Sequence, residues 1–283
     1  MAALGIARSS YYARSHVLHE RDKQAVAVLR EAHALHPLYG VSRLALYLGW
    51  SQHKARRIRT LAGVHVARPT KKKRYGSSAP AEILAAPNAL KRFARFRNEL
   101  RPQDGLSYAG MVDSGGWVQD FTYLWFQRSW HYLAVVLDLK TRQVVGWRLG
   151  TRHSSELTLA ALRDALNKHP APTILHSDQG TEYLSYKHQL VCDQFEITLS
   201  CSKRASPWQN GFMERFFGSF KPELGKLGQY RDIGELHEAI ALTLHYYNHE
   251  RIHSALGMSP AAYAATLIPA TPERDRVSGK VGG

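Results

Sequence analysis

The sequence predicts a mixed α/β sheet preceded by a separate all-α domain of the helix-turn-helix type. Residues 1–101 carry 20 Lys and Arg against five Asp and Glu, whereas residues 102–283 carry 18 of each. Three short segments with helical spacing of apolar residues occupy the basic part, and strand-like segments followed by alternating helices and strands occupy the neutral part. A basic part on a neutral remainder predicts that one domain holds a polyanion and the other performs chemistry. The alternative is a basic arm that only solubilises the chain.

Composition narrows the class of protein further. No run approaches the roughly 18 apolar residues that cross a bilayer, and the first residues lack the apolar core of a secretory signal. We therefore expect a soluble, intracellular protein with no membrane partner. The only cysteines are Cys192 and Cys201, outside any metal-binding pattern, and we expect two buried thiols without a disulfide.

Residues 1–67 are predicted to form the helix-turn-helix domain. Residues 22–35 have helical spacing and end before a proline, and the next two segments, SRLALYLG and SQHKARRIRTLAG, each open on a serine cap and end at a glycine. The third helix would face a DNA major groove with cationic side chains and pack Ile58 and Leu61 inward. These cationic side chains are His53, Lys54, Arg56, Arg57 and Arg59. The alternative is an ordinary amphipathic helix with a solvated basic face.

Residues 68–102 are predicted to be a basic linker or arm. The segment RPTKKKRYGSSAP combines charge with Gly, Ser and Pro, a composition typical of linkers. We expect Lys71, Lys72, Lys73 and Arg74 to lie along a DNA backbone.

The catalytic domain is predicted over residues 103–270, and residues 271–283 are predicted to be a disordered tail. Three strands form an antiparallel meander at about 117–125, 130–138 and 143–149. Further elements follow in the order helix, strand, helix, strand and helix, and two terminal helices complete the domain. These further segments are residues 155–168, a strand ending at Asp178, residues 181–193, the strand EITLSC, a helix with Glu214, and residues 233–249 and 260–266.

Three acidic residues, Asp120, Asp178 and Glu214, are the candidate catalytic and metal-binding residues. Asp120 lies in the apolar, aromatic run WVQDFTYLWF, where an unpaired charge is costly unless it binds a partner or a metal. Asp178 ends a second strand and Glu214 lies on a helix, so the carboxylates can converge at one sheet edge. Carboxylates bind hard divalent cations, and two ions about 3.5–4 Å apart can stabilise an in-line phosphoryl displacement. The alternative is three solvated surface acids.

Two polar residues share a helix face with Glu214. Asn210 precedes it by four residues and Lys221 follows it by seven. We assign Lys221 to a DNA phosphate near the scissile bond and Asn210 to DNA or to support of the acidic site. A solvated lysine at a helix end is the alternative for Lys221.

Five strings occur in an order that resembles a known family: WVQDFTY, YLAVVLDLKTRQVVGW, ILHSDQGTEY, SPWQNGFMERFFGSFKPEL and YYNHERIHSALGMSPAAY. Together they resemble the integrase core of bacterial insertion-sequence transposases, closest to the OrfB-type products of the family usually numbered third. The resemblance implies a ribonuclease-H-like fold and a DDE triad of Asp120, Asp178 and Glu214. It also implies two Mg²⁺ ions per active site, with Mn²⁺ as a substitute. Gln179 and Glu182 stand where the commoner family forms have Arg and Gln.

The resemblance also implies the activity, the partners and a location in the bacterial cytoplasm, at the nucleoid when the protein is bound to DNA. We expect DNA cleavage at the ends of an insertion sequence and joining of the 3′-hydroxyl to target DNA, without a covalent protein intermediate. The expected partners are the terminal inverted repeats, the target DNA, further copies of the chain in at least a dimer on DNA, and the product of an upstream reading frame. Two other functions stay open: a catalytically silent DNA-binding regulator, and a nuclease of the same fold that only hydrolyses.

Overall fold

The structure is a computed structural model that describes residues 20–66, 88–90, 95–96, 106–107, 115–178, 180–202 and 211–268. Several sequence predictions lie outside these residues: the contacts of Lys71, Lys72, Lys73, Arg74 and Asn210, and the tail at 271–283. The chain divides into two compact units, Met1–Glu82 with Ile252–Gly257, and Ile83–Arg251 with Met258–Gly283. Residues 252–257, which the sequence placed in the catalytic domain, thus group with the first unit.

Within its described residues, the first unit contains the helices α1 (Glu20–Leu35), α2 (Val41–Leu48) and α3 (Gln52–Leu61). The predicted helices are therefore present. Ser51 caps α3 as predicted, because its side chain accepts a hydrogen bond from the Lys54 amide at 3.2 Å. The serine cap predicted for α2 is wrong: the extended residue Gly40 precedes that helix, and Ser42 lies inside its first turn. Gly49 ends α2 with a φ of 63°, as a glycine can.

Two small apolar clusters hold these helices together. One contains Val26 and Leu29 of α1 with Ile58 and Ala62, and the other contains Ala32, Tyr39 and Leu44. Ile58 is fully buried and Leu61 packs beside it, as the sequence predicted.

The second unit is built on a five-stranded mixed sheet. Its strands are β3 (Gly116–Phe126), β4 (Ser129–Asp138), β5 (Val144–Gly150), β6 (Ile174–Ser177) and β7 (Thr198–Cys201), after a separate pair, β1 (Arg95–Phe96) and β2 (Leu106–Ser107). The order is β5-β4-β3-β6-β7; β3, β4 and β5 are antiparallel, and β6 and β7 run parallel to β3. The predicted meander and mixed sheet are confirmed.

The described part of this unit has five α-helices, and four of them cover the two faces of the sheet. They are α4 (Ser155–Leu166), α5 (Tyr186–Gln194), α6 (Gly211–Leu224), α7 (Ile233–His249) and α8 (Pro260–Thr266). Strand alternation in β3 divides the core: Val118 and Leu124 pack with residues of α6 and α7, whereas Trp117 packs with residues of α4 and α5. One sheet face therefore lies under α6 and the other under α4.

Two further observations concern the cysteines and the helices. Cys192 and Cys201 are both buried and unbridged. Within the described ranges, no helix combines the length and apolar character needed to cross a membrane.

Candidate active site

The sheet brings Asp120 and Asp178 to the same level on neighbouring strands. Parallel strands β3 and β6 pair Val118 with His176, and the two aspartates each follow two residues later. Positions two residues apart in a strand share a face, and adjacent strands lie about 4.8 Å apart. Because β6 ends at Ser177, Asp178 leaves the sheet beside Asp120. Register alone thus juxtaposes two carboxylates that are far apart in sequence.

Helix α6 brings Glu214 to the same region. Its buried side chains Met213, Phe216 and Phe220 pack in one cluster with Val118 and Leu124 of β3. Glu214 lies on the exposed flank of this helix, within electrostatic reach of Asp120. All three predicted carboxylates therefore lie in one region.

The acidic residues repel one another. Burial raises the pKa of Asp120 well above its usual value, and the charges of Asp178, Glu182 and Glu214 raise it further. Burial also raises the pKa of Asp178, and Glu182 adds to this effect. Backbone amides oppose these shifts: Phe121 N donates to Asp120 Oδ1 at 2.8 Å, and Gly180 N donates to Asp178 Oδ1 at 3.0 Å. The site therefore favours positive charge or a proton.

Glu182 is a fourth carboxylate of this region that the sequence reasoning did not assign. Its side chain is only 6% exposed, and Oε1 lies 2.9 Å from Nε2 of His153. The carboxylate folds over Gly180 so closely that a Cβ at that position would stand 2.5 Å from Glu182 Cδ. The available signal was the acid in HSDQGTEY at the position where the commoner family forms carry Gln. Nothing in the sequence indicated that His153, two residues before α4, would contact it.

The donor chemistry of the region fits a hard divalent cation, although the side chains are not gathered around one. As they stand, no three His, Cys, Asp or Glu side chains among the described residues could hold a metal ion. Asp120 and Asp178 each accept a hydrogen bond from a backbone amide in this arrangement. The all-oxygen donor set is the kind that Mg²⁺ takes, and a cation would relieve the repulsion.

Lys221 lies two helical turns beyond Glu214. Its Nζ donates to the backbone oxygen of Tyr123 at 3.1 Å, and the side chain is at an exposed position. Seven helical residues and three strand residues each advance about 10 Å. Helix α6 therefore follows β3 from the acidic region to Tyr123. His176, which precedes Asp178 by two residues, is buried. Its Nδ1 lies 2.8 Å from Ser200 Oγ, so this ring links the neighbouring strands β6 and β7.

The five cationic residues of α3 have different surroundings. His53 and Arg56 are exposed, and Lys54 Nζ lies 4.2 Å from the centre of the Trp50 ring. Arg59 Nε donates to Val64 O at 3.0 Å. Arg57 makes two hydrogen bonds to Asp22 of α1, at 2.7 and 2.9 Å, and thereby ties two helices together.

The arrangement of sheet, helices and acidic residues defines a class of protein, the integrase catalytic cores. Two integrase core domain families match the chain, at residues 114–207 and 195–260. The fold is similar to that of a chain in the cryo-electron microscopy structure of a simian T-cell lymphotropic virus intasome in complex with the PP2A regulatory subunit B56 gamma. The TM-score is 0.51 at 18% identity, over 89% of this chain and 80% of that one.

Curated relatives define the family within that class. An uncharacterised 31 kDa protein of insertion element IS600 from Shigella sonnei is 31% identical, over 80% of this chain and 96% of its own length. The putative transposase InsK of insertion sequence IS150 from Escherichia coli K12 is 30% identical, over 93% and 91%. The chain belongs to the OrfB-type insertion-sequence transposases with an integrase core. The chain is therefore a transposase enzyme, and the alternative of a catalytically silent DNA-binding regulator is not favoured.

Proposed function

We propose that this transposase cleaves the ends of an insertion sequence and joins the freed 3′-hydroxyl to target DNA by two-metal phosphoryl transfer. The observation that carries the proposal is the pairing of β3 with β6, which places Asp120 and Asp178 side by side under a helix bearing Glu214. Exchange of one phosphodiester for another needs no ATP, because the bond energy is conserved.

The acidic residues have distinct parts in this proposal. Asp120, Asp178 and Glu214 would hold two Mg²⁺ ions, with Mn²⁺ as a substitute. When bound, the ions would stabilise charge on the attacking and leaving oxygens. Asp120 lies on the central strand, where the charges of both Asp178 and Glu214 act on it. The Lys221 ammonium would contact a phosphate near the scissile bond.

The first unit supplies further DNA contacts in this proposal. Helices α2 and α3 have a turn of three residues between them, 49–51, as in a helix-turn-helix, and α3 carries the exposed residues His53, Lys54 and Arg56. The specific partners would be terminal inverted repeats and target DNA. Synapsis of two ends requires at least a dimer on DNA, and an upstream-frame product is a further candidate partner.

Substitution of the carboxylates tests the chemistry. Asp120→Asn, Asp178→Asn and Glu214→Gln should each abolish strand transfer and leave DNA affinity nearly unchanged, because the amides keep the shape and lose the charge. Asp193→Asn, an exposed aspartate on α5, is the matched control and should retain activity. The measurement is joining of a labelled element end to a plasmid in Mg²⁺. Joining by any of the three variants would contradict the assignment of that residue.

Thermal unfolding tests the metal assignment without reference to activity. A ligand that binds only the folded state stabilises it by about 2.7 kcal/mol at one hundred times its dissociation constant. Mg²⁺ should therefore raise the melting temperature of the wild type and raise that of Asp120→Asn much less. Equal stabilisation of both proteins would place the metal elsewhere. Binding of DNA without nicking by the wild type would instead support a regulator.

A further inference from the structure

An exposed group of aromatic side chains covers one face of the β3–β4 hairpin beyond the end of α4. Tyr123, Trp125 and Trp130 are 49%, 52% and 50% exposed, which is high for such large rings. Phe121 and Tyr132 are partly buried beneath them. We call these five residues the aromatic platform. They share one face because they alternate along β3 and because β4 pairs Tyr132 with Tyr123 and Trp130 with Trp125.

The rings of the platform meet mainly at their edges. The Trp125 and Trp130 centroids are 4.9 Å apart, with planes inclined by 63°, and Tyr123 and Trp130 are 5.9 Å apart at 83°. In edge-to-face pairs a ring face stays open, and about half of each of these side chains is in contact with solvent. Exposed apolar patches of this kind mark interaction sites or ligand-binding grooves.

The platform is continuous with the acidic region through His153. The His153 ring lies 4.0 Å from Phe121 and 5.7 Å from Tyr132, while its Nε2 contacts Glu182 at 2.9 Å. The same carboxylates also act on Tyr123. Burial and Tyr132 raise the pKa of its hydroxyl, and the negative charges of Glu182, Asp178 and Asp120 raise that pKa further. A molecule whose scissile bond lies at the acidic site can therefore reach the platform.

The hairpin that carries the platform contributes positive charge and no carboxylates of its own. Residues 121–137 contain no Asp or Glu, and Arg128 is exposed at the tip of the hairpin. Lys221, on helix α6 at the opposite face of the sheet, donates from Nζ to the backbone oxygen of the platform residue Tyr123. Open ring faces with flanking cations are the two components that hold unpaired nucleotides, whose bases stack and whose phosphates seek positive charge. A paired duplex could use the cations but not the ring faces, because its bases already stack on one another.

We propose that the aromatic platform binds unpaired nucleotides of DNA by stacking their bases on Trp125, Trp130 and Tyr123, next to the acidic site. This inference rests on the proposed function, in which the strand being cut must pass the carboxylates. The platform holds a frayed end in place after the strands separate. It thereby favours cleavage at a junction between paired and unpaired DNA over cleavage within a duplex.

The test compares two DNA probes with the full-length protein: a blunt duplex, and the same duplex with unpaired thymines at one end. Binding is measured at raised ionic strength, where phosphate contacts weaken and stacking persists. The wild type should prefer the tailed duplex, and Trp125→Ala/Trp130→Ala should lose about tenfold in affinity for it, equivalent to about 1.4 kcal/mol. Affinity for the blunt duplex should change little.

Two variants control for folding and for loss of any surface aromatic. Trp125→Phe/Trp130→Phe keeps ring faces and should restore most of the preference for the tailed duplex. Tyr186→Ala removes a ring that is 76% exposed on α5, outside the platform, and should behave as the wild type. Thermal unfolding of each variant establishes that the hairpin remains folded.

The outcomes separate this inference from the proposed chemistry. If the wild type cleaves and joins DNA but the double alanine variant keeps its preference for the tail, the platform proposal is overturned and the chemistry stands. If the double alanine variant instead abolishes a concentration-dependent dimer and leaves tail binding intact, the surface is a contact between copies and the proposal is also overturned. If the wild type fails to cleave but shows the preference that the alanine variant loses, the platform stands and the chemistry fails.

Discussion

Arg57 lies on the predicted DNA-binding helix α3, but its side chain also stabilises the fold by binding a residue of α1. Its guanidinium donates to both carboxylate oxygens of Asp22, at 2.7 and 2.9 Å. The Asp22 side chain is 6% exposed, whereas that of Arg57 is 42% exposed. Arg57→Ala would therefore remove a bidentate partner from a buried carboxylate while leaving the surface of α3 otherwise intact.

The expected magnitude follows from these contacts. A hydrogen bond to a charged group contributes about 1.5–3 kcal/mol, but the half-exposed guanidinium is screened by solvent. We therefore expect Arg57→Ala to lower the free energy of unfolding of the first unit by about 2 kcal/mol. For a domain of this size, each kcal/mol lowers the melting temperature by roughly 4–8 °C.

Hydrogen exchange in the full-length protein measures this effect locally. Amides of α3 should exchange faster in Arg57→Ala and at the wild-type rate in the matched variant Arg56→Ala, which removes an exposed neighbouring cation. DNA affinity at low salt should fall in Arg56→Ala without any change in exchange. The structural role of Arg57 would be refuted if the α3 amides of Arg57→Ala exchanged at the wild-type rate and this variant lost as much DNA affinity as Arg56→Ala.

Three further predictions concern the second unit. Burial lowers the pKa of His188 from 6.5 to about 4, so below pH 6.5 only the unfolded chain gains this proton. Stability should therefore fall by up to about 3 kcal/mol as the pH drops from 6.5 to 4, and denaturant unfolding of His188→Gln should show a flatter pH dependence. Gly146→Ala would place a Cβ 2.6 Å from Ala165 N and should destabilise the protein by about 1–3 kcal/mol. Gly218→Ala, with nothing within 4 Å, should not; calorimetry of the two variants compares them. Tyr183→Phe removes a buried hydroxyl that has no hydrogen-bond partner within the described part of the chain, and should raise the metal-free unfolding free energy by about 1 kcal/mol. A decrease in this variant would show that the hydroxyl has an acceptor.

Local sequence patterns predicted correctly those features that depend on a single helix or strand. The run around Asp120 predicted β3 because its aromatic and β-branched residues suit a strand, and Ser51 predicted the start of α3 because its side chain can satisfy a free amide. The prediction that Ser42 caps α2 was wrong. The extended residue before this helix is Gly40, and Ser42 lies inside the first turn, where its side chain cannot act as the cap.

Contacts between distant segments were not predictable from patterns of this kind. The pairing of Glu182 with His153 joins two loops 29 residues apart, and each residue alone resembles an ordinary surface group. Arg57 likewise looked like a DNA contact, since nothing in the sequence reveals that α1 presents Asp22 to it.

The sequence by itself determined the order of elements, the separation of basic and neutral parts, and the three acidic residues, because each depends on composition and short-range periodicity. The tertiary structure decided which of these residues meet. Strand register set Asp120 beside Asp178, helix packing added Glu214, and the open end of the β3–β4 hairpin left an aromatic surface next to them. Register and packing depend on long-range contacts, so a linear pattern cannot specify them.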